Sequence, residues 1–392
     1  MIAVAAIVLS SALTAWVYAG YPLALALLGQ VRPRPRVRAP LELSLSVIVA
    51  AHDEVDVIAS KVANVLTCDY PTPLLELIVA SDGSEDGTVE AARRAGAARV
   101  LDLSRVGKLA ALNRAAEVAE GEILVFTDAD SLFEPRSLRE LVSNFADEQV
   151  GAVAANVVRC VEEDGRPVAC GEGLYWRYEQ LLKRLEDRVG SVVSASGHLY
   201  AVRRRSFAPS SLMAGTDDFV ISSQVVRAGG RLAFDEHAIV LVGTPEEGST
   251  ELRRKVRVMN RGLRAALALG DALLPARTGL YALEVIFHKL FRRLVGFLLI
   301  VLLASSTVLA AEDPTWWIAL APQLAFYVLA VAGALLAPTR YGRLRALWIP
   351  YFFCLANGAG ALAVLSLLAG VRFERWEPAG TRGGARTTAA GS

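Results

Sequence analysis

Three short acidic motifs and one basic run carry the groups able to do chemistry in this chain. They are Asp82-Gly83-Ser84, Asp128-Ala129-Asp130, Thr216-Asp217-Asp218 and Arg253-Arg254-Lys255-Val256-Arg257. Two carboxylates two residues apart let one reach a hard divalent cation while the other holds ligand hydroxyls. Mg2+ and Mn2+ favour carboxylate and phosphate oxygens. Guanidinium groups suit the charge of a departing diphosphate. A carboxylate left over can act as a base. Each motif also has a plainer reading. Asp128-Ala129-Asp130 can be an exposed acidic turn, and Asp82-Gly83-Ser84 a turn. Thr216-Asp217-Asp218 can cap the helical run Phe219 to Val226, a role compatible with catalysis because a helix N-terminus favours the ionised base. The arginines can be a solvated or membrane-facing surface.

The elements that must position these groups are legible between Leu43 and about Val242. Strands are predicted at Ser46–Ala50, Leu75–Ala80, Ala98–Leu103 and Ile123–Phe126. Helices are predicted at Val55–Leu66, Thr88–Ala95 and Lys108–Ala119. Continuous apolar strands alternating with helices imply an α/β fold with a mostly parallel sheet buried on both faces. Ligands bind beyond the carboxyl ends of strands in such sheets. His52-Asp53-Glu54, Asp82 and Asp128 each follow a strand, so they converge on one crevice.

Apolar stretches flank this domain. Ile2 to Leu28 is long enough to cross a hydrocarbon core of about 30 Å. Positive charge follows it, at Arg32, Arg34, Arg36 and Arg38, which favours a retained anchor over a signal peptide. It also places the domain (41–245) in the cytoplasm. Segments 294–311, 316–337 and 346–370 are three further spans. Between Glu251 and Arg293 basic and apolar residues interleave, read as amphipathic helices (246–293) at the cytoplasmic face. The tail (372–392) is expected to be disordered. It falls outside by the count of spans yet carries Arg372, Arg375, Arg382 and Arg386, so the last segment is either a span or re-entrant.

Composition sets further bounds. Net charge is +1, so no bulk field points to nucleic acid. Cys68, Cys160, Cys170 and Cys354 have no zinc spacing and read as free thiols. No Walker loop and no GxSxG elbow is present. His198 and His237 read as packed or surface residues, His237 being placed to help a metal.

The ordered set of motifs resembles the inverting family 2 glycosyltransferases, membrane type. The likeness is to poly-N-acetylglucosamine, hyaluronan and cellulose synthases, from about Val47 to Gly262. It rests on Ala51-His52-Asp53-Glu54, Ser81-Asp82-Gly83-Ser84, Gly107-Lys108-Leu109-Ala110-Ala111-Leu112-Asn113 and Thr127-Asp128-Ala129-Asp130. It continues through Ser196-Gly197, Ala201-Val202-Arg203-Arg204 and Thr216-Asp217-Asp218. The resemblance implies a GT-A type sheet. It implies that Glu54 and Asp82 bind the nucleoside end of a nucleotide sugar, with uridine favoured. Asp128 and Asp130 would bind ribose, diphosphate and Mg2+ or Mn2+. Lys108 would approach the nucleotide or cap its helix. Asp218 matches the general base of the family's Thr-Glu-Asp motif, and Asp217 stands where Glu is usual. Arg254 and Arg257 fall on the Gln-x-x-Arg-Trp motif, with Arg254 replacing Gln as in ceramide-glucosyltransferase-like members. Val258 replaces the Trp that packs under the acceptor in processive synthases.

The resulting expectation is a multi-pass cell-membrane enzyme moving a hexosyl or N-acetylhexosaminyl group to a polysaccharide or lipid-linked hydroxyl, in one inverting displacement. The missing Trp favours single transfer to a lipid. A non-catalytic nucleotide-sugar-binding subunit and a transporter are the rivals. An accessory or export partner fits either polymer reading.

Overall fold

The computed structural model describes residues 1–163, 166–169, 174–210, 216–243, 249–337 and 339–373. The tail expected from 372 onward therefore lies, after Phe373, outside the described residues. Nine described strands build one sheet. They are β1 (Leu45–Ala51), β2 (Leu75–Asp82), β3 (Arg99–Leu103), β4 (Ile123–Asp128), β5 (Ser131–Phe133), β6 (Val150–Glu163), β7 (Arg166–Ala169), β8 (Tyr200–Arg203) and β9 (Arg231–Gly243). Their order is β3-β2-β1-β4-β8-β6-β9-β5, with β7 paired to β6.

The first four strands are parallel, as the alternation of strand and helix predicts. All seven residues of β1 are buried, which is why the strand reads as an unbroken apolar run rather than an alternating one. Beyond β4 the sheet is mixed. β8 runs antiparallel to both β4 and β6, β5 antiparallel to β9, and β6 parallel to β9. No strand is predicted in this half. β6 begins Val150-Gly151-Ala152-Val153-Ala154-Ala155, and alanine and glycine carry little strand signal. Its extended form comes from its two partners.

Among the described residues fourteen α-helices accompany the sheet. Around it lie α3 (Val55–Leu66), α4 (Thr88–Arg94), α5 (Lys108–Val118), α6 (Ser137–Ser143), α7 (Leu174–Val189) and α8 (Asp217–Arg227). α1 (Ile2–Ala15) and α2 (Tyr21–Val31) precede it, joined by a π-helical turn. α9 (Ser249–Ala268), α10 (Pro275–Thr278), α11 (Leu280–Glu284), α12 (Arg292–Glu312), α13 (Trp317–Leu336) and α14 (Arg345–Leu368) follow. The helix α3 buries Ile58, Val62 and Val65 on one face, the i, i+4, i+7 pattern of an amphipathic helix.

Among the described residues four helical stretches are long and apolar enough to cross a membrane: Ile2–Val31, Leu280–Glu312, Pro314–Leu336 and Arg345–Leu368. The second starts fourteen residues before the expected Leu294. A π-helical segment, Val285–Phe291, carries the helix through the basic residues that suggested a break. α9 is amphipathic, and its buried apolar residues pack on protein. Met259 and Leu263 pack on Ala359 and Ala363 of α14, while Ala265, Ala266 and Leu269 join the core beneath the sheet.

Glycines set the crossing of α12 and α14. A Cβ on Gly296 would lie 2.6 Å from the Asn357 carbonyl oxygen, and one on Gly360 3.3 Å from Arg293. Small residues permit such close backbone approach. The arginines after α2 bind the domain directly. Arg36 donates to Asn144 Oδ1 (2.6 Å) and the Phe234 carbonyl (2.7 Å) and pairs with Asp187, while Arg38 reaches Glu140 and Asp235.

Candidate active site

Strand register brings the acidic motifs to one edge. Ala51 of β1 lies beside Ser81 of β2, and Ala50 beside Asp128 of β4. The loops after β1 and β2 are tied together. Ser84 Oγ accepts from the Asp53 amide, Thr88 Oγ1 from the Glu54 amide, and Asp86 from the Val55 amide. Gly83 has φ +68°, and a Cβ there would stand 3.0 Å from the Arg105 amide nitrogen, so only glycine turns the chain here.

Asp82 is fully buried. Its Oδ1 accepts from the amides of Val106 (2.7 Å) and Gly107 (2.8 Å), fixing the loop into α5. Its Oδ2 is buried without a hydrogen-bond partner, Arg105 Nε lying 3.9 Å away. Such an acceptor invites a ligand N–H or O–H.

The turn between β4 and β5 presents Asp128 and Asp130. Beneath it lies Lys61, fully buried, a residue the motif reading passes over. Its Nζ donates to Thr127 Oγ1 (2.8 Å) and the Ser131 carbonyl (2.7 Å) and stands 3.8 Å from the Phe133 ring centre. Burial pulls its ammonium down to about 7, against the pull of Asp128 and Asp130. Above the turn, Lys108 Nζ bonds Asp128 Oδ1 (2.5 Å) and pairs with Asp217 Oδ2 at 3.3 Å. Lys108 thus links two acidic motifs eighty-nine positions apart. Burial opposes its charge, but Asp128 and Asp217 hold it well above the usual range. Gly197 makes room for this pair: a Cβ there would lie 3.3 Å from Lys108 Nζ and 3.4 Å from Asp128 Oδ2.

Asp128, Asp130 and His198 offer ligand atoms within 4.8 Å of one another. His198 Nδ1 is buried, has no hydrogen bond, and lies 3.4 Å from Asp128 Oδ2. Burial and Asp128 push the Asp130 carboxyl up. Burial, followed by Asp130 and Asp128, pushes Glu54 up to about 7. Crowded carboxylates with an unpartnered imidazole nitrogen form a donor set that fits a divalent cation. The histidine beside the cluster is therefore His198. His237, the one expected to help a metal, is exposed on β9, its amide bonded to Asp235.

Asp217 and Asp218 open α8 with different surroundings. Thr216 occupies the cap position without a side-chain cap bond. Asp217 is buried against Lys108, and burial raises its carboxyl. Asp218 is half-buried, its Oδ1 accepting from the Phe219 amide (2.7 Å), and it has no ion pair among the described residues. Arg254 and Arg257 stand three residues apart on α9, both half-buried. The leading cations acting on Asp128 and Asp130 are instead Lys108, Lys61 and His198.

Comparison with known proteins agrees with this layout. Residues 46–208 match the family described as glycosyl transferase family 2. A beta-monoglucosyldiacylglycerol synthase of Trichormus variabilis is 35% identical over 137 residues, which cover 32% of this chain and 29% of the synthase. Glycosyltransferase AglD of Haloferax volcanii is 32% identical over 131 residues, 31% of this chain and 21% of that one. The chain thus spans under a third of the length of these curated relatives. A mannosyltransferase of Pyrobaculum calidifontis, solved with GDP-Man and Mn2+, superposes with TM-score 0.67 at 24% identity. It covers 93% of this chain and 99% of that one. The sheet carrying the acidic cluster is accordingly GT-A-like, and residues 46–208 are similar to a family 2 glycosyltransferase domain.

Proposed function

We propose that this protein is a membrane-bound inverting glycosyltransferase that moves one sugar from a nucleotide sugar to a lipid-linked acceptor. The observation that carries the reading is the division of labour among four carboxylates. Asp128 and Asp217 are tied to Lys108, Asp130 belongs to the candidate cation site, and Asp218 is left without an ion pair among the described residues.

Asp82 Oδ2 and Glu54 receive the nucleoside end, the former through an acceptor atom that has no hydrogen-bond partner among the described residues. Asp128, Asp130 and His198 would hold Mg2+ or Mn2+, which neutralises charge on a diphosphate. Lys108 fixes the distance between the diphosphate end and the base end of the site. Asp218 takes the proton from the acceptor hydroxyl as that oxygen attacks the anomeric carbon from the face opposite the diphosphate. One displacement inverts the centre, so an α-linked donor gives a β-linked product. Arg254 and Arg257 sit at the start of α9, suited to the departing nucleoside diphosphate. The four apolar helices found among the described residues support a domain seated at a bilayer, and the arginines after α2 favour its cytoplasmic side. Val258 in place of an acceptor-stacking Trp supports single transfer.

Asp218→Asn tests the reading. Turnover falls about 10²–10⁴-fold, the usual share of general-base catalysis, while donor binding by titration calorimetry stays near that of the parent protein. Near-parental turnover in that variant removes Asp218 from the role.

A further inference from the structure

Beside Asp218 lies a cavity of about 120 Å3 lined by Lys183, Lys289, Arg293, Arg292, Glu179 and Glu186, among others. Its acids are engaged within the chain. Glu179 binds Arg292 and His288, and Glu186 binds His288 and the Tyr21 hydroxyl. Lys183 and Lys289 make no ion pair among the described residues. Lys289 Nζ rests 3.6 Å from the ring centre of Phe219, the neighbour of Asp218, and Lys183 stands 5.5 Å from that of Phe234. Asp218 is the only carboxylate outside the cavity's own wall that acts appreciably on Lys183. The chamber therefore holds more positive than negative charge, next to the proposed base.

Arg292 and Arg293 are shared with a second cavity of about 410 Å3. Tyr18, Tyr178, Trp348, Phe352 and Phe353 form its aromatic walls. It opens among the π-helical turn after α1 and helices α7, α9, α12 and α14, and its size is that of a small-molecule site. Three of its walls, Ile2–Val31, Leu280–Glu312 and Arg345–Leu368, are apolar over membrane-spanning length. Arg292 begins α12, so the basic chamber meets the apolar groove where a helix of this kind passes from interface to hydrocarbon.

We propose that the two cavities together dock a phosphate-headed lipid, with its hydrocarbon tail in the aromatic groove and its anionic head among Lys183, Lys289 and Arg293. The identification rests on the reading of Asp218 as the base beside the acceptor: the phosphate anchors the lipid in the basic chamber, and a hydroxyl borne by the same head faces Asp218. Charge complementarity selects the head. A neutral lipid would leave two lysines desolvated without a counter-charge, whereas a phosphate satisfies them with charge-assisted bonds. The groove selects the tail, since its polar groups are largely engaged: Tyr18 donates to Asn357 Oδ1 at 2.9 Å and Tyr178 to the Tyr18 carbonyl at 3.1 Å.

The test uses the full chain in neutral-detergent micelles, without donor. Dodecyl phosphate, dodecanol and inorganic phosphate are compared by the shift each causes in the thermal unfolding midpoint. Dodecyl phosphate alone raises it. Lys183→Gln with Lys289→Gln weakens the apparent affinity about tenfold or more, the loss of one charge-assisted bond, and Lys289→Arg retains it. Phe352→Ala weakens dodecyl phosphate through the tail. Equal stabilisation by dodecanol, or undiminished binding in the double variant, overturns the head assignment; equal stabilisation by inorganic phosphate overturns the groove. If the double variant does not fold, Lys289→Gln alone is read in the same way. Donor binding is titrated separately on the same preparation, so failure of the lipid site and failure of the transferase reading are seen apart.

Discussion

At the scale of single residues, the acidic motifs are legible because their signal is local: two carboxylates two positions apart after an apolar run. What supports them is not local. Lys61 lies sixty-six positions before Thr127, and His198 sixty-eight beyond Asp130, so only the folded chain joins them to the turn. Nothing in Lys61 itself, within an ordinary amphipathic helix, marks it as buried. Lys61→Met removes the amine that joins Thr127 to Ser131 and lowers stability by about 1–3 kcal/mol, measured by denaturant unfolding. A second expectation concerns Glu54. Its carboxyl, held up to about 7 by burial and by Asp130 and Asp128, is part-protonated at neutral pH. A divalent cation at Asp130 cancels the repulsion and lowers that value, so binding releases a proton and strengthens as pH rises from 6 to 8. Calorimetry of Mn2+ binding in buffers of different ionisation heat reads the proton directly. In Glu54→Gln the release at pH 7 falls.

Among the elements, β1 to β4 and their helices follow from the sequence because each strand is buried on both faces and each helix shows one apolar face. The second half is hidden because β6 is rich in alanine and β5 has only three residues. Their conformation is imposed by pairing, which no short window reveals. The polarity of α9 is legible in the sequence, but its protein partners are not: its buried apolar residues meet α14 and the sheet core. The crossing of α12 and α14 gives a sharp test. At Gly296 a methyl group would meet backbone, not a movable side chain. Gly296→Ala is expected to cost about 1–3 kcal/mol and to lower the melting temperature in detergent. The same change at Gly358, where a Cβ meets nothing within 4 Å, has little effect.

For the whole molecule, the sheet domain and the apolar helices form one connected body. Arg36 and Arg38, legible only as charges that set orientation, are also ligands of the domain, paired with Asp187, Glu140 and Asp235. Tyr21 reaches Glu186 across 165 positions, and Arg292 stacks on Tyr18 and Tyr178. The first apolar stretch therefore helps build the cavity walls.

The path of α14 beside α9 has one more outcome. Lys255 lies over the Phe352 ring, Asn260 donates to the Ala363 carbonyl (3.3 Å), and Arg264 donates to that of Val371 (3.5 Å), in the same order along both helices. The end of α14 consequently lies beside α9, on the side of the sheet domain, and this predicts that the carboxyl terminus stays in the compartment of that domain. A green fluorescent reporter fused to the carboxyl terminus should glow in living bacteria, whereas an alkaline phosphatase fused at the same point should stay inactive. The reverse pattern would mean that the final helix carries its end to the far compartment.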